Sequence, residues 1–433
     1  MNTSAAESAT EKNGSVEHVE ATPAAPPAEE ARPATSQRLQ SLDVYRGLIM
    51  VTLAFAGFGL AQTAQQHLKG SGNSAFWSAV HYQFEHVEWV GCGYWDLIQP
   101  SFMFMVGVSM AYSYVKRARA GQSYLRMFGH AAWRSVVLVL LGIFLISNWK
   151  PTPEMSLMNV LSQIGLGYAL LFLLWGRTWQ TQAKVAAALL VGVWLLYVTY
   201  PMYGHAGIDL ATGNPSVGVT HAWAQENLEG ISPAWHKSAN VGQAIDLVFL
   251  NWLPRDQPYV FNKGGYQTIN FLPSLATMIF GLMCGELLRS KRSHADKLKV
   301  LVIAGLAGIA AGQLLNLTGV CPLVKRIWTP SWTLFSTGWC CLILAALYAI
   351  IDVLGYQRWS FPLLVVGMNS IAIYCMGQLL KPWMRDTLKR YFGPEVFLMW
   401  GKLYEPMLQA TFIGLCFWLA CYWMYRQKIF IRI

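Results

Sequence analysis

Charged residues are scarce in this sequence. Asp, Glu, Lys and Arg make up 12% of its 433 residues, about half of the share that soluble domains carry. Hydrophobic residues make up 54%. This balance excludes an ordinary soluble enzyme and argues against a nucleic-acid partner, despite the net charge of +10. In so apolar a chain, Lys and Arg more often flank membrane spans and face anionic lipid. We therefore predict a polytopic membrane protein with the lipid bilayer as a partner.

Several motifs of soluble enzymes are also missing. The eight cysteines include no Cys-x-x-Cys pair, so neither a zinc site nor a disulfide framework is supported. There is no His-Glu-x-x-His, no Gly-x-Ser-x-Gly and no glycine-rich phosphate loop. We therefore expect no metal and no soluble cofactor-binding fold. No internal repeat is visible, so an inverted-repeat transporter gains no support from the sequence.

The beginning of the chain differs from the rest. Residues 1–36 are rich in Ala, Pro, Glu, Ser and Thr and contain no apolar run, a composition typical of disorder. Without an apolar core followed by a small-residue cleavage site, this stretch is not a signal peptide. We predict a disordered cytoplasmic tail over 1–36 and one transmembrane domain over 37–433.

Apolar windows of about 20 residues recur through the transmembrane domain, long enough to cross a hydrocarbon layer of about 30 Å as helices. Strands of a membrane barrel need much shorter runs. The predicted fold class is therefore all-α, a polytopic helix bundle. About ten transmembrane helices are expected, near 42–64, 94–115, 129–148, 157–175, 183–203, 269–288, 300–318, 331–352, 359–380 and 405–425.

The distribution of Lys and Arg predicts the orientation. They cluster on the side of the N-terminus, for example over 116–126 and 289–299, whereas the connection 381–402 runs against this trend. The positive-inside rule therefore favours a multi-pass protein of the cell inner membrane with both termini cytoplasmic. The longest outward loop covers 204–268, and polar loops of this size are where a site for a water-soluble ligand is expected.

Four polar residues lie where the bilayer should be, and each is a functional candidate because polar groups are costly there. Asp43 and Arg46 are three residues apart on one helical face, where they can form a structural ion pair or line a ligand path. Ser109 lies within the second span and serves helix contact or a substrate channel. Asn369 is a buried amide that needs a partner, most simply on another helix.

The densest cluster of reactive groups opens the second span. His86, Glu88 and Asp96 stand there with the indoles of Trp89 and Trp95. Histidine is the side chain that ordinarily changes charge near neutral pH, so His86 is a candidate catalytic group. Asp96 can alternatively cap the helix that follows it, and the two tryptophans can anchor the chain at the interface or stack on a ligand.

The ordered motifs of the chain resemble the heparan-alpha-glucosaminide N-acetyltransferase family, bacterial-type members included. The matching pieces cover most of 38–380 and are Ser41-Leu42-Asp43-x-x-Arg46-Gly47, His86-x-x-Trp89-x-Gly91, Asp96-Leu97, Pro100, Phe104-Met105-Val106-Gly107-Val108-Ser109-Met110, Trp328-Thr329-Pro330-Ser331-Trp332 and Gly367-Met368-Asn369-Ser370-Ile371-Ala372-Ile373-Tyr374. At the end of the first span the eukaryotic members have an Asn, where this chain has Gly57.

The resemblance implies a transmembrane acetyltransferase. It would move an acetyl group from cytoplasmic acetyl-CoA to an amino sugar or glycan on the outer side of the membrane. His86 matches the family's catalytic histidine and would act as a base or be acetylated transiently. Glu88 or Asp96 would orient it, and Trp89 and Trp95 would bind the sugar. The expected acetyl-CoA-binding residues are Asp43, Arg46, Ser109 and Asn369.

Two other functions remain open on the sequence alone. A small-solute transporter would use the intramembrane polar residues as a pathway. An O-acyltransferase of envelope glycans would share the donor but modify a hydroxyl group. A thioester donor supplies the driving force for acyl transfer, so neither the N-acetyltransferase nor the O-acyltransferase hypothesis requires a metal. Small residues in several spans permit a homodimer without requiring one.

Overall fold

The computed structural model describes residues 39–71, 74–205 and 207–431. The predicted disordered tail over 1–36 lies outside these residues. Within them the protein is almost entirely α-helical, which confirms the predicted fold class, and the strands are limited to a hairpin of β1 (Gly213–Asn214) and β2 (Val219–Thr220).

The helices are numbered in chain order. They are α1 Gln40–Ala54, α2 Leu60–Ser71, α3 Ala75–Phe84, α4 Ile98–Arg119, α5 Tyr124–Ser147, α6 Val160–Leu174, α7 Trp179–Thr199, α8 His221–Leu228, α9 Val241–Phe249, α10 Phe271–Arg289, α11 His294–Leu317, α12 Pro330–Leu347, α13 Phe361–Met368, α14 Ser370–Leu379, α15 Lys381–Phe392 and α16 Glu405–Arg426.

Several of the long helices begin at a residue that caps them. The side chains of Ser123, Thr178, Ser293 and Thr329 each accept a hydrogen bond from a backbone N–H in the first turn of α5, α7, α11 and α12. These bonds satisfy N–H groups that have no partner within the helix. Such caps place the start of each apolar helix at a defined residue.

The apolar helices do not confirm the predicted number of membrane spans. Within the described residues, six helices are long and apolar enough to cross a membrane, or up to eight if each of two bent pairs is one span. The expected count of about ten is therefore not confirmed. The two predicted spans that fall short are α4, whose 22 residues are not apolar enough, and α6, which has 15 residues.

Helix α4 lies inside the bundle and is held there by close backbone contact with α10. A Cβ atom on Gly107 would lie 1.9 Å from the carbonyl oxygen of Met278, and one on Gly281 would lie 2.1 Å from the carbonyl oxygen of Phe104. Glycine is thus required at both points. This reciprocal contact fixes the position of α4, on which the polar residues of the second predicted span stand.

One of the bent pairs consists of α1 and the helical segment Ala56–Gly70, which meet at 46°. Four consecutive residues at the bend have positive φ, namely Ala56, Gly57, Phe58 and Gly59. Glycine reaches this conformation without strain. A Cβ atom on Gly57 would lie 3.1 Å from the ring of Phe84 and 3.2 Å from that of Trp95, so the bend lies beside the segment that contains His86.

The long segment 204–268, which we predicted to lie outside, folds onto the bundle through buried polar contacts. Gln267 Nε2 donates to Asn240 Oδ1 (2.6 Å), and Gln267 Oε1 accepts from the hydroxyl of Tyr197 (2.5 Å). Asp246 Oδ2 accepts the backbone N–H of Thr268 (3.0 Å). Asp246 Oδ1 is buried and has no hydrogen-bond partner within the described residues. Burial raises the pKa of Asp246 to about 6.

Replacing Gly107 with Ala should destabilise the protein, because the added methyl group would collide with the backbone of α10. Overpacking of a core costs about 1–3 kcal/mol, and a backbone neighbour at 1.9 Å leaves little room for relaxation. The control is Gly192→Ala on α7, where a Cβ meets nothing within 4 Å; it should leave stability unchanged or raise it by roughly 0.5–1 kcal/mol. Thermal unfolding of the purified proteins distinguishes the two, and equal melting temperatures would contradict this account of the contact.

Replacing Asp246 with Asn should stabilise the protein at pH 8. The unfolded carboxyl group loses its proton near pH 4, but the folded one keeps it until about pH 6. The stability of the wild type therefore falls as the pH rises between these values, by on the order of 3 kcal/mol. Asn carries no charge and keeps an oxygen for the Thr268 N–H. The gain in melting temperature should be larger at pH 8 than at pH 5, and a gain independent of pH would contradict the argument.

Candidate active site

Two loops from distant parts of the chain meet at the candidate site. One loop joins α3 to α4 and contains His86 and Asp96; the other joins α11 to α12 and contains Lys325. The loops pair through a β-bridge between Val90 and Val324, and the N–H of Gly91 donates to the carbonyl oxygen of Leu323 (2.9 Å). This backbone pairing brings the three side chains together.

Asp96 is the centre of the resulting cluster. Its Oδ1 lies 2.7 Å from Nδ1 of His86 and accepts from Nζ of Lys325 (3.2 Å). Its Oδ2 accepts the backbone N–H groups of Val87 (3.3 Å) and Gly93 (3.2 Å). The carboxylate therefore stabilises its own loop and holds the imidazole at the same time. It does not cap the helix that follows, because α4 begins without a side-chain cap.

The surroundings of Asp96 favour its charged form. Burial by itself would raise the pKa of the carboxyl group, but the hydrogen bond with His86, the charge of Lys325 and the N–H of Gly93 outweigh it and lower the pKa. Lys325 Nζ also lies 3.0 Å from His86 Nδ1. A charged Asp96 favours the proton on Nδ1 of His86, which leaves the lone pair on Nε2. Within the described residues, no hydrogen bond reaches Nε2.

His86 and Lys325 line a cavity of about 180 Å³ that reaches into the bundle. Helix α1 contributes Met50, and α14 contributes Tyr374 and Gln378. The side chain of His86 is 34% exposed, whereas that of Asp96 is 2% exposed. The imidazole can therefore be reached from the cavity while its carboxylate partner is shielded from water.

The other predicted residues of this loop are placed differently. Glu88 is 65% exposed at the protein surface and accepts from the indole of Trp223 (3.2 Å). Trp89 is buried and donates to the carbonyl oxygen of Trp235 (3.1 Å). Trp95 lines the cavity with His86, next to Gly57, where a Cβ would lie 3.2 Å from the Trp95 ring. Of the two indoles, only Trp95 is open to a ligand.

Three of the predicted polar residues within the bundle form a second cluster. Arg46 NH1 pairs with Asp43 Oδ1 (3.0 Å), and Arg46 NH2 donates to the hydroxyl of Ser109. The guanidinium group is 25% exposed and Asp43 is buried. This cluster joins α1 to α4, and it presents a partly open cation.

Asn369 lies apart from both clusters. Its Nδ2 donates to the carbonyl oxygen of Ile429 (3.0 Å), and its Oδ1 accepts the N–H of Ile431 (3.1 Å). Both bonds tie the junction of α13 and α14 to the end of the chain. The amide is thus satisfied by backbone groups.

A row of half-buried residues on α4 connects the cavity with the Arg46 cluster. The row consists of Ile98, Phe102, Val106, Ser109 and Ser113, spaced at three or four residues and hence on one helical face. The first two line the cavity, and Ser109 contacts Arg46. Eleven residues of helix separate Ile98 from Ser109, which is about 16 Å along the axis.

Sequence reasoning missed Lys325. One signal was present, because Lys325 and Arg326 form a basic pair in a connection that the predicted orientation places outside, against the positive-inside rule. Tyr266, Tyr374 and Gln378 also line the cavity. Tyr374 ends one of the matching motifs, but nothing in the sequence context of Tyr266 and Gln378 distinguishes them. Within the described residues, no group of three or more His, Cys, Asp and Glu side chains is arranged to hold a metal ion.

Comparison with known proteins supports the motif resemblance. No family model matches the chain. The human heparan-alpha-glucosaminide N-acetyltransferase is 23% identical over 432 residues, covering 92% of this chain and 60% of the human protein. The mouse protein of the same name is 23% identical over 435 residues, covering 93% of this chain and 62% of its own length. The chain thus spans about three fifths of the length of these curated relatives. It is a distant relative of the heparan-alpha-glucosaminide N-acetyltransferases.

Proposed function

We propose that the protein is a membrane acetyltransferase that moves an acetyl group from acetyl-CoA to the amino group of a sugar or glycan. The observation that carries the proposal is the imidazole of His86 at the wall of a cavity within an apolar helix bundle, held by Asp96, whose carboxylate also pairs with Lys325. The distant relatives named as N-acetyltransferases support the same reaction class.

The chemistry that this arrangement supports is base-assisted acyl transfer. The acceptor nitrogen attacks the thioester carbonyl and gives up a proton to Nε2 of His86. The C–N bond forms, the C–S bond breaks, and the thiolate of CoA leaves with the proton from the imidazolium. Asp96 stabilises the imidazolium, and Lys325 balances the charge of Asp96. An acetyl-imidazole intermediate would use the same atoms, with Nε2 as the nucleophile.

The row on α4 supports a path for the donor. The row is about 16 Å long, because an α-helix rises 1.5 Å per residue. An extended pantetheine arm has a similar length, roughly 15–20 Å. Arg46 at the far end would attract the phosphates of CoA from the cytoplasmic side. The acceptor would come from the opposite side, where Tyr266 lines both the His86 cavity and a second cavity of about 390 Å³ in the outer segment.

This sidedness requires that α4 and α6 also cross the bilayer, for ten crossings in all with both termini in the cytoplasm. Helix α4 has 22 residues and would extend about 33 Å. Because it packs against α1, α10 and α12 rather than against lipid, it does not need a uniformly apolar surface. Residues 39–431 would then form one acyltransferase domain.

Replacing His86 with Ala should lower the rate of acetyl transfer by about 10²–10⁴-fold, the usual contribution of a general base. The assay is release of free thiol from acetyl-CoA by purified protein in the presence of amino sugars. The control is His221→Ala, which removes an exposed imidazole from the outer segment. A rate near that of the wild type for His86→Ala would overturn the assignment. Uptake of an amino sugar into vesicles without thiol release would instead favour a transporter.

Replacing Asp96 with Asn should lower kcat by about a hundredfold or more while KM changes little, because the ring loses the charge that sets its tautomer. Asn also places an NH₂ group against the ammonium of Lys325. Glu88→Gln tests the other carboxylate of the motif, which lies on the outer surface. Steady-state kinetics of both variants assign the role, and a larger loss of kcat in Glu88→Gln would mean that Glu88, not Asp96, supports His86.

A further inference from the structure

Two arginines where α4 ends and α5 begins have neutral partners. Arg117 NH2 lies 2.7 Å from Nε2 of His130, whose Nδ1 lies 3.4 Å from the hydroxyl of Tyr114. Arg134 stands one helical turn beyond His130. It donates from NH1 to the hydroxyl of Tyr168 (3.2 Å) and lies 4.7 Å over the same ring. The charges of Arg117 and Arg134 both act on His130, so the three basic side chains belong to one polar patch between α4, α5 and α6.

The charge of this patch is not balanced by the protein. In the part of the chain that the structure describes, neither Arg117 nor Arg134 lies within ion-pair distance of a carboxylate. The Nε atom of Arg134 is buried without a hydrogen-bond partner. Arg134 is ten residues from the start of α5, a candidate span. An unpaired guanidinium at such depth is costly, so an external anion would stabilise it.

The patch can be reached from outside the protein. Arg117, His130 and Arg134 are each half-buried. Next to them, the outer face of α5 exposes Trp133 and the apolar side chains that follow it along the helix, so this face borders on lipid. A planar guanidinium offers paired N–H donors that match the oxygens of a phosphate group. Two such groups with an imidazole between them are suited to a phosphate rather than to a halide or a carboxylate alone.

We propose that Arg117, His130 and Arg134 form a binding site for a phosphate group. This site is separate from the His86 cavity and does not depend on the proposed reaction. The phosphate can come from a phospholipid, since α5 borders on lipid at this point. It can also come from the acyl donor, since Arg117 continues the half-buried row of α4, about 28 Å along the axis from Ile98.

The test uses full-length purified protein, with lipid removed, and two pairs of probes analysed by native mass spectrometry. Phosphatidic acid is compared with diacylglycerol of the same chains, and coenzyme A with pantetheine. The wild type should bind at least one phosphate-bearing probe at least tenfold more tightly than its phosphate-free counterpart. A preference for phosphatidic acid alone assigns the site to lipid, and a preference for coenzyme A alone assigns it to the donor. If the wild type shows no preference for the phosphate-bearing probe in either pair, the proposal is overturned by the wild-type protein alone.

The matched variants are Arg117→Gln/Arg134→Gln and Arg119→Gln/Arg126→Gln, which remove the same charge from the same two helices. Arg119 and Arg126 are exposed and lie outside the patch. The first pair should abolish the preference and the second should retain it. If both double variants lost the preference equally, binding would reflect the overall positive charge of the protein rather than a specific site, and the proposal would be overturned. If Arg117→Gln/Arg134→Gln does not fold, Arg134→Lys, which keeps the charge but loses the paired donors, should weaken the preference; an unchanged preference there would also contradict the proposal.

Discussion

A buried carboxylate needs both a balancing charge and donors for its oxygens, and this requirement organises the end of the bundle at which His86 lies. Asp96 obtains its donors from its own loop and its balancing charge from Lys325, 229 residues away. Neither loop would hold its shape without the other, because separating them would leave an unpaired charge in an apolar environment. The position of His86 follows from this pairing.

The pairing depends in turn on how closely the helices beneath it approach. Helices in a membrane gain little from burying apolar surface against each other, since lipid is equally apolar. Close backbone contact supplies the attraction instead, and Gly107 and Gly281 allow it between α4 and α10. With one side of α4 sealed in this way, its opposite side is left as the half-buried row that leads from the His86 cavity toward Arg46. One face of α4 therefore packs against α10, and the opposite face borders the path to the His86 cavity.

The sequence predicted the helices better than the site, for physical reasons. Apolar windows mark helices wherever they lie, but a hydropathy pattern cannot tell a lipid-facing helix from an enclosed one such as α4. The predicted number of spans is unconfirmed for this reason. The clustering of His86 and Asp96 is local and was visible. Their pairing with Lys325 depends on a tertiary contact between loops that have no periodicity. Because this loop has no periodic pattern, the sequence could not show which of the two carboxylates, Glu88 or Asp96, is buried next to His86.

The two ends of α4 handle charge in opposite ways. At its start, Asp96 lies between a cation and an imidazole, so the charges of Asp96 and Lys325 offset each other beside His86. At its end, Arg117 and the neighbouring Arg134 have neutral partners and leave an excess of positive charge. A neutral, shielded site suits a thioester and an amine, whereas an excess of positive charge suits phosphates. A ligand with a reactive group at one end and phosphates at the other would match this gradient of charge along the helix.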